Sequence, residues 1–303
     1  MNAENKPKSI NIGILGFGTV GQGTWKHLED NFDFWRKILG VEIKPTRASV
    51  RTLEKKRNIK IPESALTTDS QSIVEDPNID LICELIGGIE EAKNLTLQAF
   101  EKGKSVVTAN KALICEHGEE LFDAAEKAGV HYGFEASVAG GIPIIKVLRE
   151  SMVANEFPLI YGILNGTSNY ILTRMEKEGV SFDSVLNDAR ELGYVEADEA
   201  LDLDGVDAAH KAVILAYLAH GIWVDLQSIT VEGIRRISIE DLHAARKLGC
   251  KIKLIGVIRR NFENNHISVG VYPALVPMAE IIARTDGVYN GISLTGSVVG
   301  TVV

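Results

Sequence analysis

No stretch of this chain stays apolar for the roughly 20 residues that a bilayer-spanning helix needs, and the N-terminus, MNAENKPKSI, lacks the apolar core of a secretion signal. Both absences point to a cytoplasmic protein. Cysteine is scarce: Cys83, Cys115 and Cys250 are odd in number, far apart and outside any CxxC arrangement. That pattern argues against a disulfide framework and a zinc site and fits reduced thiols. Positive charge is in deficit too. With 32 Lys and Arg against 41 Asp and Glu, the net charge of −9 makes nucleic acid and anionic membrane surfaces poor partners. Both demand a basic footprint, so a small molecule is the better expectation. Neither an internal repeat nor a low-complexity linker interrupts the chain.

What is present is enough for two globular domains: 303 residues, 45% hydrophobic and 24% charged. From Ser9 to about Phe134, buried strand-like runs (INIGIL, LICELIG, SVVTA, VHYGF) alternate with helical ones (VGQGTWKHLED, EEAKNLTLQAFEKG, GEELFDAAEKAG). Such alternation predicts an α/β fold with a doubly wound parallel sheet. After Gly140 the rhythm changes. A helix over IPIIKVLRESMVA and a strand LIYGIL precede three helical stretches between Thr167 and Gly221; the strands IKLIGVIRR, HISVGVYPALV and ISLTGSVVGTVV close the chain. Helices followed by consecutive strands predict an α+β second domain with a mixed or antiparallel sheet. The expected domains are residues 1–140 and 141–303, and the apolar run that stops at Val303 reads as a strand cut short.

The first motif is GILGFGTVG, which places Gly16, Gly18 and Gly21 as G-x-G-x-x-G between a strand and a helix. In a Rossmann-type unit the first glycine makes the turn, the second admits a pyrophosphate to the backbone, and the third packs helix on strand. Gly16, Phe17, Gly18, Thr19, Val20 and Gly21 are therefore the expected cofactor-binding turn. An acid at the end of the second strand would favour NAD, but the chain reads RASVRTLEKKR there, with Arg51 where a 2′-phosphate would lie and Lys55, Lys56 and Arg57 beyond. That favours NADP and leaves NAD possible; a merely solvated basic turn is the competing reading. Gly87 in ELIGG sits at another strand end, where backbone could touch a nicotinamide.

Three further segments could carry chemistry. In SVVTANKALICEHG, Lys111 lies where a strand gives way to a helix, at the ligand-binding edge of such sheets; an exposed lysine is the alternative. In FEASVAGGIPIIKVL, Glu135 and the carbonyls of a small-residue loop could hold a hard cation, although an interdomain turn is the simpler reading. EADEALDLDGVDAAHK, Glu196–Lys211, puts six carboxylates into twelve residues ahead of an apolar helix. It is no EF-hand: with Gly205 as the sixth loop position, the twelfth is Lys211 and not glutamate. Asp207 and Lys211 are i, i+4 on the following helix and share a face, as an ion pair or as part of a pocket.

The blocks GFGTVG, ELIGG, VVTANKA, EASVAGGIPI, LNGTSNYIL and ELGYVEADEALDLDGVDAAHKAVILA, in that order, resemble homoserine dehydrogenase over nearly the whole chain. The resemblance implies NAD(P)-dependent interconversion of L-homoserine and L-aspartate 4-semialdehyde, in threonine and methionine biosynthesis, by a homodimer joined through its second domain. It implies Lys211 as proton donor with Lys111 also at the reacting carbonyl; Glu196, Asp207 and Asp202 at the substrate; and a monovalent cation, sodium in most of the family, at Glu135, Val138, Gly140 and Ile142. Family members continue past SLTGSVVGTVV into a glycine-rich loop, and many bacterial ones into an ACT domain, which this sequence lacks. Two alternatives stay open: a non-catalytic NADPH-binding module, and a semialdehyde dehydrogenase with Cys115 as nucleophile, which needs a histidine base near the thiol, whereas His117, two residues on, would point to a different face of the helix.

Overall fold

The computed structural model describes residues 8–195 and 198–303. They divide into two compact units between Ser137 and Val138. The first unit runs β1 (Lys8–Leu15), α1 (Thr19–Asp30), α2 (Phe32–Leu39), β2 (Val41–Ser49), β3 (Leu66–Thr67), α3 (Gln71–Glu75), β4 (Leu81–Glu84), α4 (Glu90–Glu101), β5 (Ser105–Thr108), α5 (Lys111–Ala128) and β6 (Tyr132–Gly133). Its six strands lie in the order β3-β2-β1-β4-β5-β6, every pair parallel. This is the Rossmann order, and it aligns the carboxyl ends of β1, β2, β4 and β5 along one edge. Ile14, Leu15, Ile82 and Val106 are fully buried within the sheet, which explains why its strands read as continuous apolar runs.

Two elements of this unit depart from the sequence expectation. Helix α2 follows α1 after the single residue Asn31, whose φ of −110° and ψ of 18° break what would otherwise be one helical run; Gly40, left-handed, ends it before β2. Helix α5 starts at Lys111, at the strand-to-helix change read from the sequence, because the Asn110 side chain accepts the Leu113 N–H and caps it, but it is not one regular helix. It kinks at His117, whose φ of −129° leaves the helical region.

The second unit runs α6 (Ile144–Lys146), a π turn over Val147–Ser151, β7 (Leu159–Ile163), α7 (Gly166–Glu178), α8 (Phe182–Glu191), α9 (Glu199–Leu203), α10 (Val206–His220), β8 (Thr230–Val231), α11 (Ile239–Lys247), β9 (Cys250–Asn261), β10 (His266–Pro277), β11 (Gly291–Gly296) and β12 (Gly300–Val302). Its sheet is mixed, in the order β12-β11-β7-β9-β10-β8, antiparallel except for the β10–β8 pair. ISLTGSVVGTVV is thus a hairpin and not one strand. Helix α10 packs on β9 and β10. Its Val213, Ile214 and Leu215 are essentially inaccessible, each contributing about 1.5–3 kcal/mol, which fixes the helix that carries Asp207 and Lys211.

The acidic run is divided by backbone geometry. Gly205, at φ +86° with Val231 and Val271 crowding its α-carbon, separates α9 from α10. Asp198 caps α9 by accepting the Ala200 N–H at 3.1 Å, Glu199 pairs with Arg190, and Asp204 meets Arg235 at 2.6 Å. Those three carboxylates, for which the sequence offers no role, serve the local fold at its surface. Asp202 and Asp207 are buried. Among the described residues, no helix is long and apolar enough to cross a membrane.

Candidate functional site

At the carboxyl edge of the first sheet, the glycine turn is built as its spacing requires. Gly16 has φ +92°, and a β-carbon there would lie 2.3 Å from the Leu85 carbonyl oxygen; at Gly21 it would lie 2.3 Å from that of Gly16. At Gly18 nothing stands within 4 Å, so the backbone lies open. These are the tight turn, the close helix–strand packing and the pyrophosphate approach, respectively. Gly18 precedes α1, whose N-terminal N–H groups and dipole favour an anion.

A cleft of about 780 Å³ opens over this turn, lined by Gly16, Phe17, Gly18 and Thr19 together with Arg51, Lys55, Lys56 and Arg57. Glu91 is the one carboxylate among its described lining residues. Ser49 fills the end of β2 where an NAD-selective acid would stand, and its hydroxyl is already engaged, accepting the Gly16 N–H at 3.1 Å and the Ser70 hydroxyl at 3.0 Å. The Phe17 side chain turns inward, packed edge-on against Trp25 at 5.7 Å, so only its backbone is left for a ligand. Val20 is exposed on α1 outside the cleft lining, and Gly21 serves packing. Gly87, at φ +77°, and Lys111 also lie outside that lining.

Lys111 opens α5 on a corner braced by a carboxylate that sequence reasoning passed over. Glu84, fully buried at the end of β4, accepts the Thr108 hydroxyl at 2.6 Å and the Ile86 N–H at 2.9 Å. Thr108 in turn accepts the Asn110 N–H at 2.9 Å, and the Asn110 amide donates to the Gly88 carbonyl at 2.7 Å. The ends of β4 and β5 are thereby locked to the turn before Lys111. His117, the histidine nearest Cys115 in the sequence, lies 3.4 Å from the Lys93 ammonium and 3.9 Å from Glu120.

In the second unit, Asp202, Asp207 and Lys211 converge. The Lys211 ammonium donates to Asp207 Oδ2 at 2.7 Å and to the Leu164 carbonyl at 2.7 Å, with its side chain 14% exposed. Asn165, the N-cap of α7, was missed in the sequence although LNGTSNYIL contains it, and it organises the cluster. Its Oδ1 accepts the Ser168 N–H at 2.7 Å, which fixes the amide's orientation. Its Nδ2 then donates to Asp202 Oδ1 at 2.8 Å and Asp207 Oδ2 at 2.9 Å. Ser168 adds a bond from its hydroxyl to the Asp202 carbonyl at 2.7 Å. The findable signal was the helix-start pattern: an Asn before a helical run has both an amide oxygen for the cap and two donors to spare. Glu196 lies outside the described residues.

Of the expected cation ligands, Glu135 opens a 3-10 turn, Glu135–Ser137, and Val138 is fully buried. Ala139 and Gly140 both have φ +57°, and the Ile142 N–H closes the following turn on the Ala139 carbonyl at 3.2 Å. No cluster of three or more His, Cys, Asp or Glu suited to a metal occurs among the described residues.

Comparison with known proteins covers both units. Residues 16–135 match the family described as homoserine dehydrogenase, NAD binding domain, and residues 143–303 match homoserine dehydrogenase. The homoserine dehydrogenase of Synechocystis sp. is 44% identical over 297 residues, 97% of this chain and 68% of that protein. That of Neisseria gonorrhoeae is 43% identical over 293 residues, 97% of this chain and 67% of that protein. The crystal structure of a homoserine dehydrogenase from Thiobacillus denitrificans superposes with a TM-score of 0.91 at 45% identity, covering 97% of this chain and 68% of that one. A hyperthermophilic archaeal homoserine dehydrogenase in complex with NADPH gives a TM-score of 0.79 at 25% identity, covering 97% of this chain and 90% of that one.

Proposed function

The chain belongs to the homoserine dehydrogenase family and is an NAD(P)-dependent oxidoreductase acting on L-homoserine and L-aspartate 4-semialdehyde, and from that premise we propose that Lys211 is its proton donor. The observation that carries the assignment is a count of hydrogens. An ammonium has three N–H bonds, and two of those on Lys211 go to Asp207 and the Leu164 carbonyl. Among the described residues the third has no acceptor, and we assign it to the substrate oxygen.

A bound nicotinamide supplies the hydride, and the glycine turn, open at Gly18, fits a dinucleotide pyrophosphate. As the aldehyde is reduced, negative charge grows on its oxygen; the Lys211 N–H stabilises that charge and passes the proton across. In the reverse direction the neutral amine takes the proton from the homoserine hydroxyl. Asp207 orients the amine and keeps a compensating charge beside it throughout. Asp207 and Asp202, with Glu196, bind the substrate's α-ammonium, which needs carboxylates. Asn165 holds the two aspartates in fixed directions, so they present charge without swinging onto Lys211 together. Lys111 supplies the second ammonium that the family resemblance implies. Homoserine-dependent reduction of NADP by the wild type and Lys211→Ala tests the assignment: we expect a fall of at least about 100-fold, the lower range for a positioned general acid. Turnover like the wild type's would remove Lys211 from the chemistry.

The preferred cofactor is NADP, with NAD possible. Support comes from Arg51 beside the glycine turn and the absence of a carboxylate at the described end of β2. Titration with NADP and NAD decides this, and equal affinities would overturn the role given to Arg51. Following the family resemblance, we assign a monovalent cation, sodium, to Glu135 and the carbonyls of Val138, Gly140 and Ile142; in support, the turn holds non-glycine Ala139 at φ +57°, a strained conformation that a bound ligand can offset. Replacing sodium by tetramethylammonium should then lower thermal stability; no change counts against the site. The second unit also carries the homodimer contact, on the sheet face around Leu159, Tyr161, Val257 and Ala274. A monomeric mass in sedimentation equilibrium would exclude it.

A further inference from the structure

The four cationic residues lining the cleft do not share one situation. Arg51, Lys55 and Lys56 are exposed, whereas Arg57 is partly buried and its guanidinium is folded back into its own loop. Arg57 Nη1 donates to the carbonyls of Leu53 and Lys55, both at 2.8 Å, and Nη2 donates to that of Thr52 at 2.7 Å. The next residue is tied elsewhere: the Asn58 N–H donates to Gln22 Oε1 at 2.8 Å. Gln22 stands on α1, and its Nε2 reaches back to the Gly18 carbonyl at 3.3 Å. A continuous set of hydrogen bonds thus runs from the pyrophosphate turn through Gln22 to the base of the loop, and from Arg57 through the loop itself.

A short exposed loop carrying four like charges repels itself and would sample many shapes without such ties. A planar fork of donors can hold three carbonyls in one plane, which a lysine cannot do. The same bonds engage three of the guanidinium's five N–H donors within the loop. We propose that Arg57 is a positioning residue that, with Gln22, staples loop 51–58 in the shape that presents Arg51, Lys55 and Lys56 to the cofactor's 2′-phosphate, and that it is not itself a phosphate ligand. The inference rests on the NADP reading above.

Two readouts on Arg57→Gln, Arg57→Lys and Gln22→Ala test it. The first is limited trypsin digestion of cofactor-free protein, with cleavage after Lys55 and Lys56 followed by mass spectrometry; all three variants should be cut about tenfold faster than the wild type. The second is steady-state kinetics, where KM for NADP should rise about tenfold in all three while kcat at saturation holds, the signature of lost preorganisation. Gln22→Ala changes no charge, and Arg57→Lys retains it, so the charge-keeping variants separate a staple from a ligand. A KM that stays at the wild-type value in Arg57→Lys and Gln22→Ala and rises only in Arg57→Gln would overturn the proposal in favour of direct charge recognition. Unchanged digestion in all three would overturn it as well. If the wild type shows no preference for NADP, the cofactor reading fails, while the digestion still reports on the staple.

Discussion

Asn165 caps helix α7 and Asn169 lies one turn into it, and each serves a lysine–aspartate pair. Asn165 holds Asp207, which pairs with Lys211; Asn169 holds Lys253, which pairs with Asp286. The difference lies in how the ammonium is spent. Lys253 is 1% exposed, and its three N–H bonds have three acceptors: Asn169 Oδ1 at 2.9 Å, the Thr285 carbonyl at 2.8 Å and Asp286 Oδ1 at 3.0 Å. Lys211 is more open and has two acceptors among the described residues. The amides face opposite ways too: Asn169 accepts from its lysine and donates to the carbonyls of Thr285 and Tyr289, while Asn165 donates to carboxylates. A saturated ammonium fastens the chain; an unsaturated one beside two anchored carboxylates can meet a substrate. Residue type alone would not separate the two clusters.

That contrast can be broken at several points. Loss of Lys211 should have the largest effect on turnover. Asn165→Ala should follow, lowering kcat by about 10- to 100-fold, since the two carboxylates lose their common donor; an unchanged kcat would show the aspartates to be fixed by other means. Lys253→Met should do the reverse. Removing one partner of a buried charged cluster costs about 3–5 kcal/mol, to be read by urea denaturation, while turnover at temperatures well below the transition stays near wild type. A comparable loss of kcat without loss of stability would erase the distinction between the two lysines.

A smaller effect concerns pH. Burial alone would raise the Asp286 carboxyl, but hydrogen bonds from Lys177, Lys253 and Lys251 overcome it and hold the group down at about 2. A carboxylate depressed in the folded state contributes stability that is complete above its unfolded value of 3.8 and is lost as pH falls towards 2. Asp286→Asn should therefore flatten the dependence of unfolding free energy on pH across that window. An unaltered slope would place the acid sensitivity elsewhere.

Sequence patterns made visible what is local. G-x-G-x-x-G reports a turn whose parts are five residues apart, and Asp207 with Lys211 reports one helix face. The division of the acidic run was less visible, since Gly205 determines which carboxylates turn inward and Arg190 and Arg235 neutralise two that do not. The Lys253–Asp286 cluster spans 33 residues and joins β9 to the turn before β11, so no spacing announces it. Glu84 was hidden for a related reason: in LICELIG it resembles one polar residue ending a strand, and only β5 at its side supplies Thr108 as donor. Asn165 stood inside a recognised block, but its reach to Asp202 and Asp207 depends on pairing across 37 and 42 residues.

The most direct test of Lys211 as proton donor is kcat for homoserine oxidation in Lys211→Ala, measured with saturating NADP, first alone and then with small primary amines added. The account predicts a loss of at least about 100-fold and a partial, amine-dependent recovery as the added amine takes the vacated place. Turnover in the variant within about threefold of wild type, too small a loss for a general acid, would contradict it.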